Sequence, residues 1–308
     1  MDTPFPALPP LRQGSRVALL APSGPLPEGR LDKAVEAVRR FGLEPEIYPS
    51  ARAHRGYLAG SDDRRAADVQ AAFLDDRIEG ILCLRGGYGA QRLYSRIDWK
   101  AVAQHPKPLY GYSDVTFFHA QLQNLGIRSF HTPMPSTEWY AGLDEYTEHW
   151  LRLALFGGEW GELPNCPGVP RQTIAPGRAR GTLVGGNLSL LTSALGTPYA
   201  PDLRGKILFL EDVGEAPYRL DGMLQHLVAS GCLKECRGIA LGYFTDCVPR
   251  EGKQSLTIEE IFCDLLAPLG IPVLAGFTCG HSEPTLSLPL GAETELDAGA
   301  QTLTILPD

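Results

Sequence analysis

Apolar residues recur along the first half of the chain with two alternating periods, one typical of strands and one typical of helices. The run RVALLA, which begins at Arg16, predicts a buried strand, and the segment LDKAVEAVRRFG that follows keeps its apolar residues on one helical face. PEIYPS predicts the next strand, and Ser61 can cap the helix after it. The pattern predicts βαβ units and a mostly parallel sheet.

The same alternation continues through two turns that contain glycine or serine. The segment GILCLRGGYGA predicts a strand followed by a glycine turn. The segment LYGYSDVTFFHAQL, residues 109–122, predicts a strand, a sharp turn and a helix that ends at Gly126. Ser113 would lie at that turn, where backbone N–H groups of a helix start face whatever the serine attacks. Ser and Asp are also common N-caps, and these residues taken alone favour the cap.

A stretch rich in glycine and proline, residues 157–181, interrupts the periodicity and marks a domain boundary. We predict an N-terminal α/β domain over residues 1–160, a linker over 161–180 and a C-terminal domain over 181–308. In the second half a strand over 206–210 leads to Glu211, a carboxylate at the end of a strand where ligands often bind. Short β-like segments with turn spacing follow the loop that contains His281.

Composition and charge remove several classes of function. With 308 residues, 44% of them hydrophobic, the chain can bury a large core, and a net charge of -8 argues against a protein that tracks nucleic-acid phosphates. The N-terminal residues show no export signal, and no apolar run reaches the roughly 18 residues that cross a bilayer. Seven cysteines without a paired framework favour reduced thiols in a cytoplasm.

Three residue types that nucleophilic catalysis requires occur at predicted element ends: Ser113, Glu211 and His281. A serine hydroxyl is a weak nucleophile that needs a base, and the base needs a third group to orient it. Chains of this size also contain such residues by coincidence, so spacing alone leaves the triad open. No histidine pair has metal-binding spacing, and GGYGAQR lacks the third glycine of a dinucleotide fingerprint, so we predict no metal and no cofactor.

Five motifs in order resemble the LD-carboxypeptidase family, the serine peptidases that trim muropeptides. They are RGGYGAQRL (85–93), GYSDVT (111–116), GGNLSLL (185–191), GTPYAPDLRGKILFLEDVGEAPYRLDGML (196–224) and GHSEPTLSLPLG (280–291). The resemblance implies Ser113 as nucleophile, Glu211 as the acid, His281 as the base, and an α/β domain followed by a β-rich domain. Glu215 could also reach a histidine, but Glu211 matches the motif. The sequence G-x-S-x-G is incomplete, so this is no α/β-hydrolase.

The remaining candidates are assigned from the chemistry of their residue types. We assign the N–H groups of Gly87 and Asp114 to an oxyanion hole, with a simple tight turn as the alternative. Arg85 could bind a terminal carboxylate or form a structural ion pair, and Tyr112, Trp139 and Tyr140 could line the pocket or the core.

The implied function is release of terminal D-alanine from cytoplasmic murein tetrapeptides during peptidoglycan recycling. The expected partner is therefore a muropeptide, not a nucleic acid or a membrane, and we also expect a homodimer, although the residues do not reveal the oligomeric state. One alternative is a self-immunity peptidase that cleaves peptidyl-nucleotide antibiotics. Another is a non-catalytic module that binds a nucleotide or a sugar.

Overall fold

A computed structural model of the chain describes residues 5–249 and 251–307. These residues divide into two compact units. The N-terminal unit consists of Pro6–Gly158 and Ser287–Pro289, and the C-terminal unit contains the remaining described residues, which are mainly 159–286 and 290–307. Residue 308, the last of the predicted C-terminal domain, lies outside the described residues.

Helices and strands alternate in the N-terminal half and mix in the C-terminal half. The α-helices are α1 Arg30–Arg40, α2 Asp62–Leu74, α3 Trp99–Gln104, α4 Thr116–Asn124, α5 Glu145–Phe156, α6 Leu188–Ala194, α7 Pro217–Ala229 and α8 Ile258–Leu265. The strands are β1 Arg16–Leu20, β2 Glu44–Ile47, β3 Gly80–Cys83, β4 Leu109–Gly111, β5 Ser129–His131, β6 Gly161–Glu162, β7 Gln172–Ala175, β8 Arg178–Asn187, β9 Ile207–Val213, β10 Gly238–Thr245, β11 Val273–Ala275, β12 Leu288–Leu290, β13 Glu293–Asp297 and β14 Thr302–Ile305.

The sheet of the N-terminal unit has the strand order β12-β5-β4-β3-β1-β2, and its five N-terminal strands are parallel. The order 2-1-3-4-5 is a doubly wound arrangement, in which ligands bind beyond the carboxyl ends of the strands, near the point where the order reverses. The predicted mostly parallel sheet is confirmed. The apolar face of α1, with Leu31 and Val38, is buried as its periodicity indicates.

The predicted cap of α2 is also correct, because the Ser61 side chain accepts a hydrogen bond from the Arg64 N–H. Asp62 and Asp63 follow in the first turn, where negative charge is favourable at a helix N-terminus. The local sequence therefore accounts for where α2 begins.

The sheet of the C-terminal unit has the order β6-β14-β13-β8-β9-β10-β11-β7. Its centre, β8 to β11, is parallel, and antiparallel strands flank this centre on both sides. Residues 161–180, predicted as a linker, contribute β6, β7 and the start of β8 to this sheet. β12 belongs instead to the sheet of the N-terminal unit, a placement that local periodicity does not specify because it depends on an edge strand distant in sequence.

None of the helices in residues 5–249 and 251–307 combines the length and the apolar character that crossing a membrane requires.

Candidate active site

Ser113 lies at a sharp turn between β4 and α4, as the sequence predicts. β4 ends at Gly111, a single 3₁₀ turn covers Ser113–Val115, and α4 begins at Thr116. The φ angle of Ser113 is +66°, in the left-handed region that residues other than glycine seldom adopt. Such strain is typical of functional sites, and here it lies at the half-buried residue with the candidate nucleophilic hydroxyl.

The interpretation of Ser113 and Asp114 as helix caps is wrong. No side chain caps the 3₁₀ turn or the start of α4. The Asp114 carboxylate instead accepts a hydrogen bond of 2.8 Å from the N–H of Ala90, in the segment after the glycine turn. The turn is therefore held by contacts between segments distant in sequence.

A buried histidine on α4 contacts the strand end that precedes the Ser113 turn. His119 Nε2 lies 2.9 Å from the Gly111 carbonyl oxygen, and Nδ1 lies 2.8 Å from Ser129 Oγ. Burial, with a smaller contribution from His131, lowers the pKa of His119 to about 3, so the ring is neutral at ordinary pH. His119 therefore has a structural role.

The glycine turn after β3 packs directly against the serine. A Cβ atom on Gly86 would lie 2.7 Å from both Cβ and Oγ of Ser113, so only glycine fits there. Gly87 has a φ of +117° and approaches Gly24 closely, and within residues 5–249 and 251–307 its N–H donates to no backbone acceptor. The structure thus brings the Gly86–Gly87 segment and Ser113 together.

Asp114 and Tyr112 flank the serine with buried side chains. Burial raises the pKa of Asp114, while hydrogen bonds from the N–H groups of Ala90 and Gly89 lower it in part. The hydroxyl of Tyr112 donates to Glu138 Oε1 at 2.7 Å, and its ring lies 5.5 Å from that of His131. Tyr112 therefore packs mainly into the N-terminal unit.

Arg85 forms no ion pair with any residue in the described ranges. Its Nη1 donates to the carbonyl oxygen of Pro25 at 2.9 Å, and the side chain is partly exposed. Trp139 is buried and donates from Nε1 to the Pro133 carbonyl, whereas the ring of Tyr140 lies 3.6 Å from the Arg30 guanidinium. Trp139 is thus a core residue.

Glu211 and His281 meet in the C-terminal unit. Nδ1 of His281 lies 2.7 Å from Glu211 Oε2, and the main-chain N–H of His281 donates to the same oxygen at 3.3 Å. Glu211 is fully buried, whereas the His281 side chain retains 17% of its exposure. β9 continues through Glu211 to Val213, so the carboxylate lies within the strand and not just beyond it.

Glu215 pairs with a different residue. It lies in the loop after β9, as expected, and forms an ion pair with Arg219 on α7. The geometry therefore assigns Glu211, not Glu215, as the partner of the histidine.

Gly280, the residue before His281, allows this pair to form. A Cβ atom on Gly280 would lie 2.7 Å from Glu211 Oε2 and 2.9 Å from Glu211 Cβ, and the φ of Gly280 is +120°. Only glycine combines that backbone angle with such a close approach to the carboxylate.

A buried polar network next to Glu211 escaped sequence reasoning. Asp212 accepts hydrogen bonds from Asn187 Nδ2 at 3.0 Å and from the N–H and hydroxyl of Ser189 at 2.9 and 2.7 Å. Burial raises the pKa of Asp212, and the Ser189 hydroxyl lowers it in part. The motif GGNLSLL contains Asn187 and Ser189, so the motif was the available signal, but only the strand pairing of Asn187 with Glu211 reveals its purpose.

Within the described residues no three His, Cys, Asp or Glu side chains cluster as metal ligands would. The cysteines are all free thiols. The arrangement of side chains supports acid–base and nucleophilic chemistry by the protein's own residues.

Comparison with known proteins gives matches over most of the chain. The model of the LD-carboxypeptidase N-terminal domain matches residues 17–132, and that of the LD-carboxypeptidase C-terminal domain matches residues 180–296. A probable murein peptide carboxypeptidase of Bacillus subtilis is 40% identical over 299 residues, which cover 96% of this chain and 92% of that protein.

Two further relatives represent the two expected activities. A muramoyltetrapeptide carboxypeptidase from Oxalobacter formigenes is 30% identical to this chain in sequence. Its crystal structure matches with a TM-score of 0.80 over 94% of this chain and 97% of that chain. The microcin C7 self-immunity protein MccF of Escherichia coli is 26% identical over 333 residues, covering 96% of this chain and 94% of that protein.

Proposed function

We propose that this chain, which belongs to the LD-carboxypeptidase family and is a serine carboxypeptidase, acts on murein tetrapeptides. The proposed reaction releases their terminal D-alanine. The observation that carries the proposal is the 2.7 Å contact between His281 Nδ1 and Glu211 Oε2. A carboxylate that accepts the Nδ1 proton leaves Nε2 as the basic nitrogen, the tautomer that a general base requires.

In the proposed mechanism, Ser113 Oγ attacks the carbonyl carbon of the third residue, and His281 Nε2 takes the hydroxyl proton. The tetrahedral intermediate collapses as the C–N bond breaks, and His281 returns the proton to the leaving amine of D-alanine. Water then adds to the ester carbonyl carbon as His281 takes its proton, and the bond from that carbon to Ser113 Oγ breaks as His281 returns the proton to the serine oxygen. Glu211 holds the ring and stabilises its charged form.

The oxyanion of each intermediate would accept hydrogen bonds from the N–H groups of Gly87 and Asp114. The close packing of Gly86 on Ser113 supports this assignment, because it holds the glycine turn beside the hydroxyl. A preorganised donor of this kind is commonly worth about 3 kcal/mol of barrier.

Arg85 is the proposed partner of the terminal carboxylate. Its guanidinium has the planar fork that binds a carboxylate, and no acidic residue in the described ranges pairs with it. A fixed cation at that position would favour a substrate whose scissile L-to-D bond is the last one.

A cytoplasmic role in peptidoglycan recycling and a homodimeric state complete the proposal. The free thiols support a reducing compartment. Sedimentation equilibrium of the purified protein would test the dimer separately from the activity.

The test is mass spectrometry of an L-Ala-D-Glu-diamino acid-D-Ala tetrapeptide and its D-Ala-D-Ala pentapeptide after incubation with the enzyme. We expect release of D-alanine from the tetrapeptide only, because the last bond of the pentapeptide joins two D-residues. Ser113→Ala, Glu211→Ala and His281→Ala should each lower kcat by several orders of magnitude. Glu215→Ala is the matched control and should retain most activity. A loss of kcat in that variant as large as in Glu211→Ala would contradict the assignment of the acid.

The second candidate function is the self-immunity activity considered from the sequence, cleavage of a peptidyl-nucleotide antibiotic, and the likeness to the self-immunity protein favours it. Cleavage of such an antibiotic with no release from the tetrapeptide would establish this activity in place of the first. Both candidates use the same serine mechanism, and the non-catalytic alternative is set aside by membership of a peptidase family.

A further inference from the structure

The peptide unit between Gly89 and Ala90, at the end of the glycine turn, is hydrogen-bonded from both of its sides by buried charged groups. Its carbonyl oxygen accepts a hydrogen bond of 3.0 Å from Arg65 Nη1, and its N–H donates to Asp114 Oδ2 at 2.8 Å. Because the C=O and N–H of a trans peptide point in opposite directions, Arg65 and Asp114 lie on opposite sides of it.

Arg65 is placed for this contact by several further bonds. The side chain is fully buried on α2, Nη1 also donates to the Pro22 carbonyl oxygen at 2.5 Å, and Nη2 donates to Asp62 Oδ1 at 2.6 Å. A buried guanidinium is retained only where such partners compensate for its lost hydration. Its position is therefore specified by hydrogen bonds to three residues, Pro22, Gly89 and Asp62.

The Gly89–Ala90 peptide unit connects the two elements of the proposed oxyanion hole. Gly87 precedes it by two residues in the same turn, and the carboxylate that accepts its N–H belongs to Asp114, the residue after Ser113. Rotation of the peptide would break both hydrogen bonds and would alter the path of the turn that packs on the serine.

We propose that Arg65 is a positioning residue for the oxyanion hole, acting through the Gly89–Ala90 peptide to hold the N–H of Gly87 towards the developing oxyanion. The inference rests on the proposed serine mechanism but not on the identity of the peptide substrate. Asp62 holds Arg65 in turn, and the exposed Arg92 shares that acid with a 2.8 Å contact.

The test compares Arg65→Lys with Arg92→Lys, the same substitution on the same acidic partner. A lysine ammonium cannot reach two carbonyl oxygens and a carboxylate in the geometry of the guanidinium fork. We expect Arg65→Lys to lower kcat on the tetrapeptide about 10- to 100-fold with KM changed less than threefold, a part of the 10²–10³ that a lost donor costs. Arg92→Lys should stay within twofold of the wild type.

A second readout separates this inference from the proposed substrate. Ser113 Oγ displaces fluoride from a fluorophosphonate and forms a tetrahedral phosphonyl adduct whose oxygen would occupy the oxyanion hole. The rate of this reaction should fall in Arg65→Lys in proportion to kcat, even if the tetrapeptide proves not to be the substrate. A folded Arg65→Lys protein with wild-type kcat and phosphonylation rate, or one altered in KM alone, would overturn the inference.

If Arg65→Lys does not fold, variants of Asp114, which accepts the N–H of the same peptide unit, test whether this peptide positions the oxyanion hole. Asp114→Asn keeps an acceptor for the Ala90 N–H and Asp114→Ala does not. The asparagine variant should react with the fluorophosphonate at least ten times faster than the alanine variant, and equal rates would refute the role assigned to this peptide.

Discussion

Replacing Gly280 by alanine should disable the acid–base pair without touching either of its side chains. The added Cβ would lie 2.7 Å from Glu211 Oε2 and 3.0 Å from Glu211 Cγ, whereas ordinary contact begins at 3.4 Å. The carboxylate would have to recede by about 0.4–0.7 Å, in a site where Glu211 is fully buried. The hydrogen bond to His281, now 2.7 Å, would then lengthen to about 3.1–3.4 Å, to the upper end of its normal range or beyond it.

Both stability and turnover should respond to Gly280→Ala. The φ of +120° costs a residue with a Cβ about 1–3 kcal/mol of unfolding free energy, and overpacking adds about 1–3 kcal/mol. Because a misplacement near 1 Å can cost on the order of a hundredfold in rate, we expect kcat to fall about 10- to 100-fold. Urea denaturation and D-alanine release measure the two effects on the same preparation.

Gly177→Ala is the matched control, because Gly177 has a comparable φ of +137° and its added Cβ would meet Pro272 only at an ordinary 3.5 Å. It should lose stability through backbone strain alone and keep the wild-type kcat. Wild-type turnover in Gly280→Ala, or an equal loss in Gly177→Ala, would refute the argument that this glycine makes room for Glu211.

Three further predictions concern pH, backbone strain and thiol reactivity. Burial lowers the pKa of His119 to about 3 in the folded protein, against 6.5 when the ring is exposed, so the unfolded state binds the proton more tightly. The free energy of unfolding should therefore be highest above pH 6.5 and should decrease as the pH falls toward 3, by roughly 3 kcal/mol at pH 4.5. Denaturant titrations should find a smaller dependence on pH for His119→Gln. Ser113→Gly should be more stable than Ser113→Ala by about 1 kcal/mol, because glycine accepts a φ of +66°, and a more stable alanine variant would contradict the strain argument. Iodoacetamide followed by peptide mapping should label the exposed Cys263 in the native protein, whereas Cys279, buried and with its pKa raised by that burial, should remain unlabelled until unfolding.

Features that depend on neighbours along the chain follow from the order of the residues alone. Periodicity identified the apolar face of α1, and the Ser61 side chain caps α2 as predicted. Thr257 and Glu260, three residues apart, form a capping box at the start of α8. The motif order indicated the family and the residue types of the site. All of these signals are contained in short segments, because helix caps and amphipathic faces involve residues only a few positions apart.

Which of these residues come into contact depends on the folded chain. The motif favoured Glu211 over Glu215, but only the folded chain shows that Gly280 packs on Glu211 and that Glu211 contacts His281. Nothing in α2 marks Arg65 as a residue that holds the glycine turn. Hydrogen bonds and packing between segments far apart in sequence depend on the position of every strand in the sheet, and a one-dimensional pattern does not contain that information.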